Sequence, residues 1–165
     1  MLFDNISEMK SFGFFGFEEI QSLINNNCTN VPDRKGIYYV LRNEGPKEFL
    51  PNSVGGHFKG KNPTVPVQTL EDKWVDNTLV VYIGQSGGGS SDATLYKRMK
   101  QFMKFGQGQP VGHWGGRLIW QLKDSRKLKI CWKTLVTEDP REVERQLIQQ
   151  FENHYFKKPF ANISG

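Results

Sequence analysis

The chain has 165 residues, enough for one domain with a real core, and it is 37% hydrophobic, 24% charged and 13% aromatic, an ordinary folded composition. No apolar run approaches the ~20 residues that a bilayer-spanning helix needs, which sets a membrane-spanning role aside. The formal net charge of +5 is modest, but residues 85–133 hold ten basic side chains against only Asp92 and Asp124, a local net of +8.

That concentration has two readings. It is the footprint of a polyanion-binding surface, or it is a solvated helix face followed by a basic hairpin. Cys28 and Cys131 stand alone, without metal-ligand or disulfide spacing, which suggests inert thiols in a reducing compartment. The first ten residues carry Asp4 and Glu8 and no apolar stretch of the signal-peptide kind. The expected location is the cytoplasm.

Taken in order, Ser11 to Phe17 is a phenylalanine-rich lead-in expected to pack on the core. Glu18 to Ile24 then reads as a short helix stopped by Asn25-Asn26-Asn27. After a Pro32-to-Lys35 turn, Gly36-Ile37-Tyr38-Tyr39-Val40-Leu41 is a β-type apolar run. Residues 43–78 form a long excursion with several glycines and prolines, beginning Asn43-Glu44-Gly45-Pro46, with a brief helical turn expected over 70–75. An excursion of this length inside one domain is usually functional or mobile. His57 within it reads as a turn residue.

A second β-type run, Val80-Val81-Tyr82-Ile83-Gly84, is expected to pair with the first. The glycine-rich Gln85 to Ser91 loop lacks both a Gly-Lys-Ser/Thr ending and a Gly-x-Gly-x-x-Gly spacing, so it reads as a connector with Asp92 or Thr94 capping the next helix. That helix is expected over 94–105, with Leu95, Met99, Phe102 and Met103 on one stripe and Lys97, Lys100 and Lys104 opposite. At 100° per residue, Arg98 falls about 40° from Phe102, on the border of the apolar stripe. It is there either to snorkel or to reach a site beside the core.

His113 and Trp114 sit in a glycine-rich loop, and residues 117–122 and 128–135 read as two strands of a basic hairpin. Asp139-Pro140-Arg141-Glu142 is a helix start with a capping-box pattern, and the helix is expected to run to about 155. Val143, Leu147, Ile148, Phe151 and Tyr155 form its apolar stripe, and Glu144 falls near the middle, about 20° from Phe151. A carboxylate there is costly unless it is paired, with Arg98 as the candidate partner, or binds a cation. In the final extended segment, Asn162 is placed to cap or bridge backbone, or to line a site.

Five features in this order resemble the GIY-YIG nucleases: Gly36-Ile37-Tyr38, Tyr82-Ile83-Gly84, Arg98 on the following helix, Glu144 in Glu-x-x-Leu-Ile, and Asn162 after Pro-Phe-Ala. The resemblance covers residues 34–163 and leaves residues 1–30 as an N-terminal extension and 43–78 as an insertion between the motif strands. It implies an α+β domain with a small mixed or antiparallel sheet flanked by helices. It also implies a one-metal phosphodiesterase site: Glu144 holding Mg²⁺ (or Mn²⁺), Arg98 near the scissile phosphate, Tyr38 activating water beside Tyr82, and Asn162 orienting neighbouring groups. The substrate class it implies is DNA, double-stranded or branched, with Lys97, Lys100, Lys104 and Arg117 as expected contacts.

Two departures stand out. Many members carry His or Tyr one turn after the helical arginine, where this chain has Phe102; His113 is the candidate replacement, against the reading of a packed turn histidine. The tyrosines Tyr38 and Tyr82 lie forty-four positions apart, more than a compact hairpin needs. Three functions therefore compete: a metal-dependent DNA endonuclease, a nucleic-acid-binding module of the same fold without activity, and a small-molecule or nucleotide-binding enzyme built on Gly87-Gly88-Gly89.

Overall fold

A computed structural model describes residues 1–43 and 45–163, so Glu44 lies outside the described residues. The architecture is α+β, with four strands among the described residues in one open antiparallel sheet of order β1-β4-β2-β3. The elements are α1 (Ile6–Phe12), β1 (Phe15–Glu19), α2 (Ile20–Asn25), β2 (Gly36–Leu41), α3 (Val67–Lys73), β3 (Val80–Ser86), α4 (Leu95–Gly106), β4 (Lys129–Thr134) and α5 (Pro140–Tyr155). Among the described residues, no helix is long and apolar enough to cross a membrane.

The two tyrosine runs pair as expected, in a register that sets Tyr38 against Gly84 and Val40 against Tyr82. Every residue of β2 is buried, because it is flanked by strands on both edges and covered on both faces. Tyr38, Val40, Ile130 and Trp132 face α2, α4 and the segment Trp114–Gln121. Ile37, Tyr39, Leu41, Val80 and Ile83 face the N-terminal residues Phe3, Met9 and Phe14 and the α5 stripe Val143, Leu147 and Phe151. A bulge between Val40 and Leu41 lets both Val81 and Tyr82 join the first of these cores.

Three sequence expectations need correction. Residues 117–122 are not a strand: Trp114–Gln121 and Ser125–Lys127 are 3₁₀ turns, and only β4 of the expected basic hairpin exists. The first segment is packed inward on nearly every side, with Leu118, Ile119, Trp120 and Gln121 all buried, so it has no wet face to alternate with. The phenylalanine-rich lead-in contains β1, which pairs with β4 across a bulge, so the N-terminal extension supplies an edge of the sheet. Gly16 is required there, since the Trp132 ring lies where a Cβ would go. Of the lead-in phenylalanines, Phe14 is buried but Phe15 is 70% exposed.

Helix ends follow the sequence more closely. Thr94 caps α4 by accepting from the Lys97 N–H at 3.2 Å, and Asp139 caps α5 by accepting from the Arg141 N–H at 3.2 Å. The capping box of α5 is not closed, because Glu142 instead accepts from Arg145 Nε at 3.0 Å. The brief turn expected at 70–75 is α3, which begins three residues earlier.

Candidate active site

The site begins with the seating of Tyr38. Its ring occupies the space above Gly84 on the neighbouring strand, and any side chain at position 84 would collide with it. This directs the Tyr38 hydroxyl toward the loop after α4. There it meets His113, with the hydroxyl 3.0 Å from Nε2. Both side chains are fully buried.

Phe102 explains how the histidine is held. Its ring stacks on the imidazole at a centroid distance of 4.3 Å and 24° between planes, while Trp120 packs edge-on against Phe102 at 5.1 Å. Gly116 gives the imidazole room on another side. Phe102, one turn after Arg98 on the helix, is thus the platform for the histidine that reaches Tyr38 from the following loop. Tyr82 completes the aromatic group, 5.9 Å from Tyr38 and 6.3 Å from His113 between ring centroids.

Arg98 is half-buried at the border of the α4 stripe, and its Nη1 donates to the Gly112 carbonyl at 2.9 Å. The guanidinium thereby ties α4 to the His113 loop. Glu144 is also half-buried, on the flank of the fully buried α5 stripe and not at its middle. Among the described residues its carboxylate has neither an ion pair nor a hydrogen bond. Pairing with Arg98, the simple reason for a carboxylate on that face, is therefore not what holds it.

The electrostatics tie these groups together. Burial pushes the Glu144 carboxyl up to about 7, against the opposing pull of Arg98 and Arg141. Burial also raises Tyr38, while the Arg98 charge lowers it and the Glu144 charge raises it. Tyr82 lies well above its ordinary value, first through burial and then through Tyr38, with Arg98 and Glu144 again acting in opposite senses. His113 is driven well below 6.5, by burial first and by Arg98 second, so it is neutral at physiological pH. The charges of Arg98 and Glu144 thus act in opposite senses on both Tyr38 and Tyr82.

Asn162 lies on the outer edge of β3. Its Oδ1 accepts from the Ile83 N–H and its Nδ2 donates to the Ile83 carbonyl, both at 2.9 Å, while the Ala161 N–H donates to the Val81 carbonyl at 2.8 Å. It bridges backbone and fixes the strand that carries Tyr82.

The expected nucleic-acid contacts separate. Lys97 and Lys104 are exposed and Lys100 is half-buried with its ammonium 5.2 Å from the Tyr96 ring centroid. Arg117, expected on a wet strand, is instead half-buried in the 3₁₀ segment, 4.4 Å over the Trp114 ring, and donates to the Trp114 carbonyl at 3.2 Å. The glycine loop is already engaged: Gly88 N–H donates to Gln85 Oε1 at 2.9 Å and Gly89 N–H to Asp139 Oδ1 at 3.0 Å. Amides that would cradle a phosphate there hold side-chain oxygens instead. Arg141 lies one turn before Glu144 and faces this loop; helical spacing alone places it beside Glu144, whose carboxyl its charge lowers.

No group of three or more His, Cys, Asp or Glu side chains able to hold a metal occurs among the described residues. A single unpaired carboxylate is still a fitting donor for Mg²⁺, which keeps several waters and often takes one or two carboxylates. A groove of about 700 Å³ lies elsewhere, lined by Arg42, Trp74, Asn77 and neighbours. No family model, curated protein or solved structure matches the chain.

Proposed function

We propose that this chain is a divalent-cation-dependent endonuclease that hydrolyses phosphodiester bonds in DNA with a GIY-YIG-type site. The carrying observation is the 3.0 Å approach of the Tyr38 hydroxyl to His113 Nε2, inside a group that also holds Tyr82, Arg98 and the unpaired Glu144. The order of the five family-like motifs supports the same reading.

In this proposal Glu144 is the protein ligand to Mg²⁺, which when bound would polarise the phosphodiester and stabilise its developing charge. Arg98 binds a phosphate oxygen and offsets negative charge in the transition state, a role worth about 10²–10³ in rate at comparable sites. Tyr38 orients the attacking water and passes its proton to neutral His113. Arg98 opposes a charge on His113 in the free protein. A substrate phosphate on Arg98 cancels that opposition, so the histidine becomes a better base when substrate is present. Asn162 and Gly84 position the two tyrosines and touch no reacting atom.

The test is plasmid nicking with Mg²⁺, with EDTA, and with Glu144→Ala. Cleavage that depends on the cation and disappears in the variant is expected; unchanged cleavage in Glu144→Ala removes the metal assignment. A second reading, a binding module without activity, is favoured by the complete burial of Tyr38 and its raised pKa. Salt-sensitive DNA binding with no nicking of any DNA form is its signature.

A further inference from the structure

The excursion between the motif strands is folded onto the site. Gln121, fully buried, donates to the Leu50 and Val65 carbonyls at 3.1 and 2.8 Å and accepts from the Val65 N–H at 3.0 Å, which anchors both arms. The Ser53 N–H donates to Thr64 Oγ1 at 2.9 Å and closes the loop between them. The Gly56 N–H donates to the Phe105 carbonyl at 2.9 Å, which fastens the loop to the end of α4.

These ties bring the tip Phe58–Gly60 beside Gly112. The Phe58 ring edge lies 3.6 Å from where a Gly112 Cβ would stand, so the ring is a close neighbour of that glycine. Lys59 carries its ammonium 5.2 Å from the centroid of that ring. On Gly112 itself, the carbonyl receives Arg98. The tip that carries Lys59 and the guanidinium of Arg98, thirty-nine positions apart in sequence, therefore both neighbour the loop that holds His113.

The tip also bears a mark of strain. Lys59 has φ 53° and ψ 34°, a left-handed conformation that is strained for a lysine and that glycine adopts freely. A lysine kept where glycine fits better points to a use for its charge. Lys61, two residues on, is exposed like Lys59, and among the described residues neither makes an ion pair.

The geometry points to the Phe58–Lys61 tip as a second phosphate-binding surface for DNA, in which Lys59 and Lys61 hold the backbone beside the phosphate that Arg98 engages. This rests on the nuclease reading and extends it: the insertion positions the duplex across the site, and Phe58 couples its placement to the Gly112–His113 loop.

The experiment is fluorescence anisotropy with a labelled DNA duplex in EDTA over a range of salt. Lys59→Gly removes the charge and relieves the backbone, so thermal stability is expected to hold or rise while affinity falls about three- to tenfold. The slope of log K against log salt is expected to flatten by about 0.9 for each phosphate that the variant no longer neutralises. Lys59→Arg is expected to bind like the wild type, and Lys59→Gly with Lys61→Ala to bind more weakly than either alone. Unchanged affinity and slope in the double variant, with salt-dependent binding by the wild type, overturns the role of the tip and leaves the nuclease reading standing. Equal weakening in Lys59→Arg and Lys59→Gly also overturns it, because the charge would then not be the cause. Absence of salt-dependent binding by the wild type overturns both.

Discussion

Asn162 completes the edge of the sheet at Ile83, giving and receiving one hydrogen bond at 2.9 Å with the backbone between Tyr82 and Gly84. An amide side chain here stands in for a fifth strand, and it does so at the residue where a backbone shift would move both halves of the Tyr-Ile-Gly motif.

Asn162→Ala removes both bonds and is expected to cost about 1–3 kcal/mol of stability. Activity should fall through kcat with KM little changed, because the two bonds of Asn162 hold Tyr82's strand. Unfolding and nicking kinetics check this together. Lower stability with wild-type kcat would reduce Asn162 to a structural edge cap.

Gly84→Ala places a methyl group against the Tyr38 ring and hydroxyl. The strand backbone cannot retreat easily between β2 and the Asn162 clamp, so Tyr38 must shift. The expected cost is about 1–3 kcal/mol, with nicking reduced further than the loss of folded protein explains. Wild-type stability and rate in this variant would show that Tyr38 has room to move.

His113→Gln is expected to lower kcat by about 10²–10⁴, the range for a lost general base. Its acid linkage has a definite sign. The folded-state value lies well below 6.5, so the stability that neutral His113 provides is full above about 6.5 and is lost as pH falls toward the folded value. His113→Gln should flatten that acid-side loss in unfolding measurements. A wild-type profile without it would mean that the imidazole is protonated, or that water reaches it.

Much of this site is legible along the sequence, because its elements are local patterns. Strands β2 and β3 are runs of β-branched and aromatic residues ended by glycine or polar residues, and α4 and α5 carry side-chain caps ahead of 3.6-residue stripes. What the sequence hides is set by distant contacts. Arg117-Leu118-Ile119-Trp120-Gln121-Leu122 has apolar residues compatible with a strand, but Trp120 against Gly106 and Gly116 beneath His113 draw it into a 3₁₀ segment. β1 has a glycine in its middle and Phe17 at φ 56°, so no period-2 pattern announces it; the Trp132 ring over Gly16 is what makes the pairing work. His113 stands out only as a histidine among glycines. Its partner lies seventy-five positions away.

Glu144 gives the last prediction, and its sign opposes that of His113. Burial raises the carboxyl from 4.5 to about 7 in the folded protein, so without a divalent cation the folded state holds the proton more tightly than the unfolded chain. Stability is then full below about 4.5 and declines as pH rises toward 7, by about 3 kcal/mol. Glu144→Gln should remove this decline and be more stable than the wild type at neutral pH in EDTA. Added Mg²⁺ should stabilise the wild type above about pH 7, because a cation binds the ionised carboxylate, and should leave Glu144→Gln unmoved. Nicking should rise through the same pH region in the wild type, and the rise should persist in the residual activity of His113→Gln. Calorimetry across pH with and without Mg²⁺ checks the stability half. Equal stabilisation of both proteins by the cation would place the metal away from Glu144.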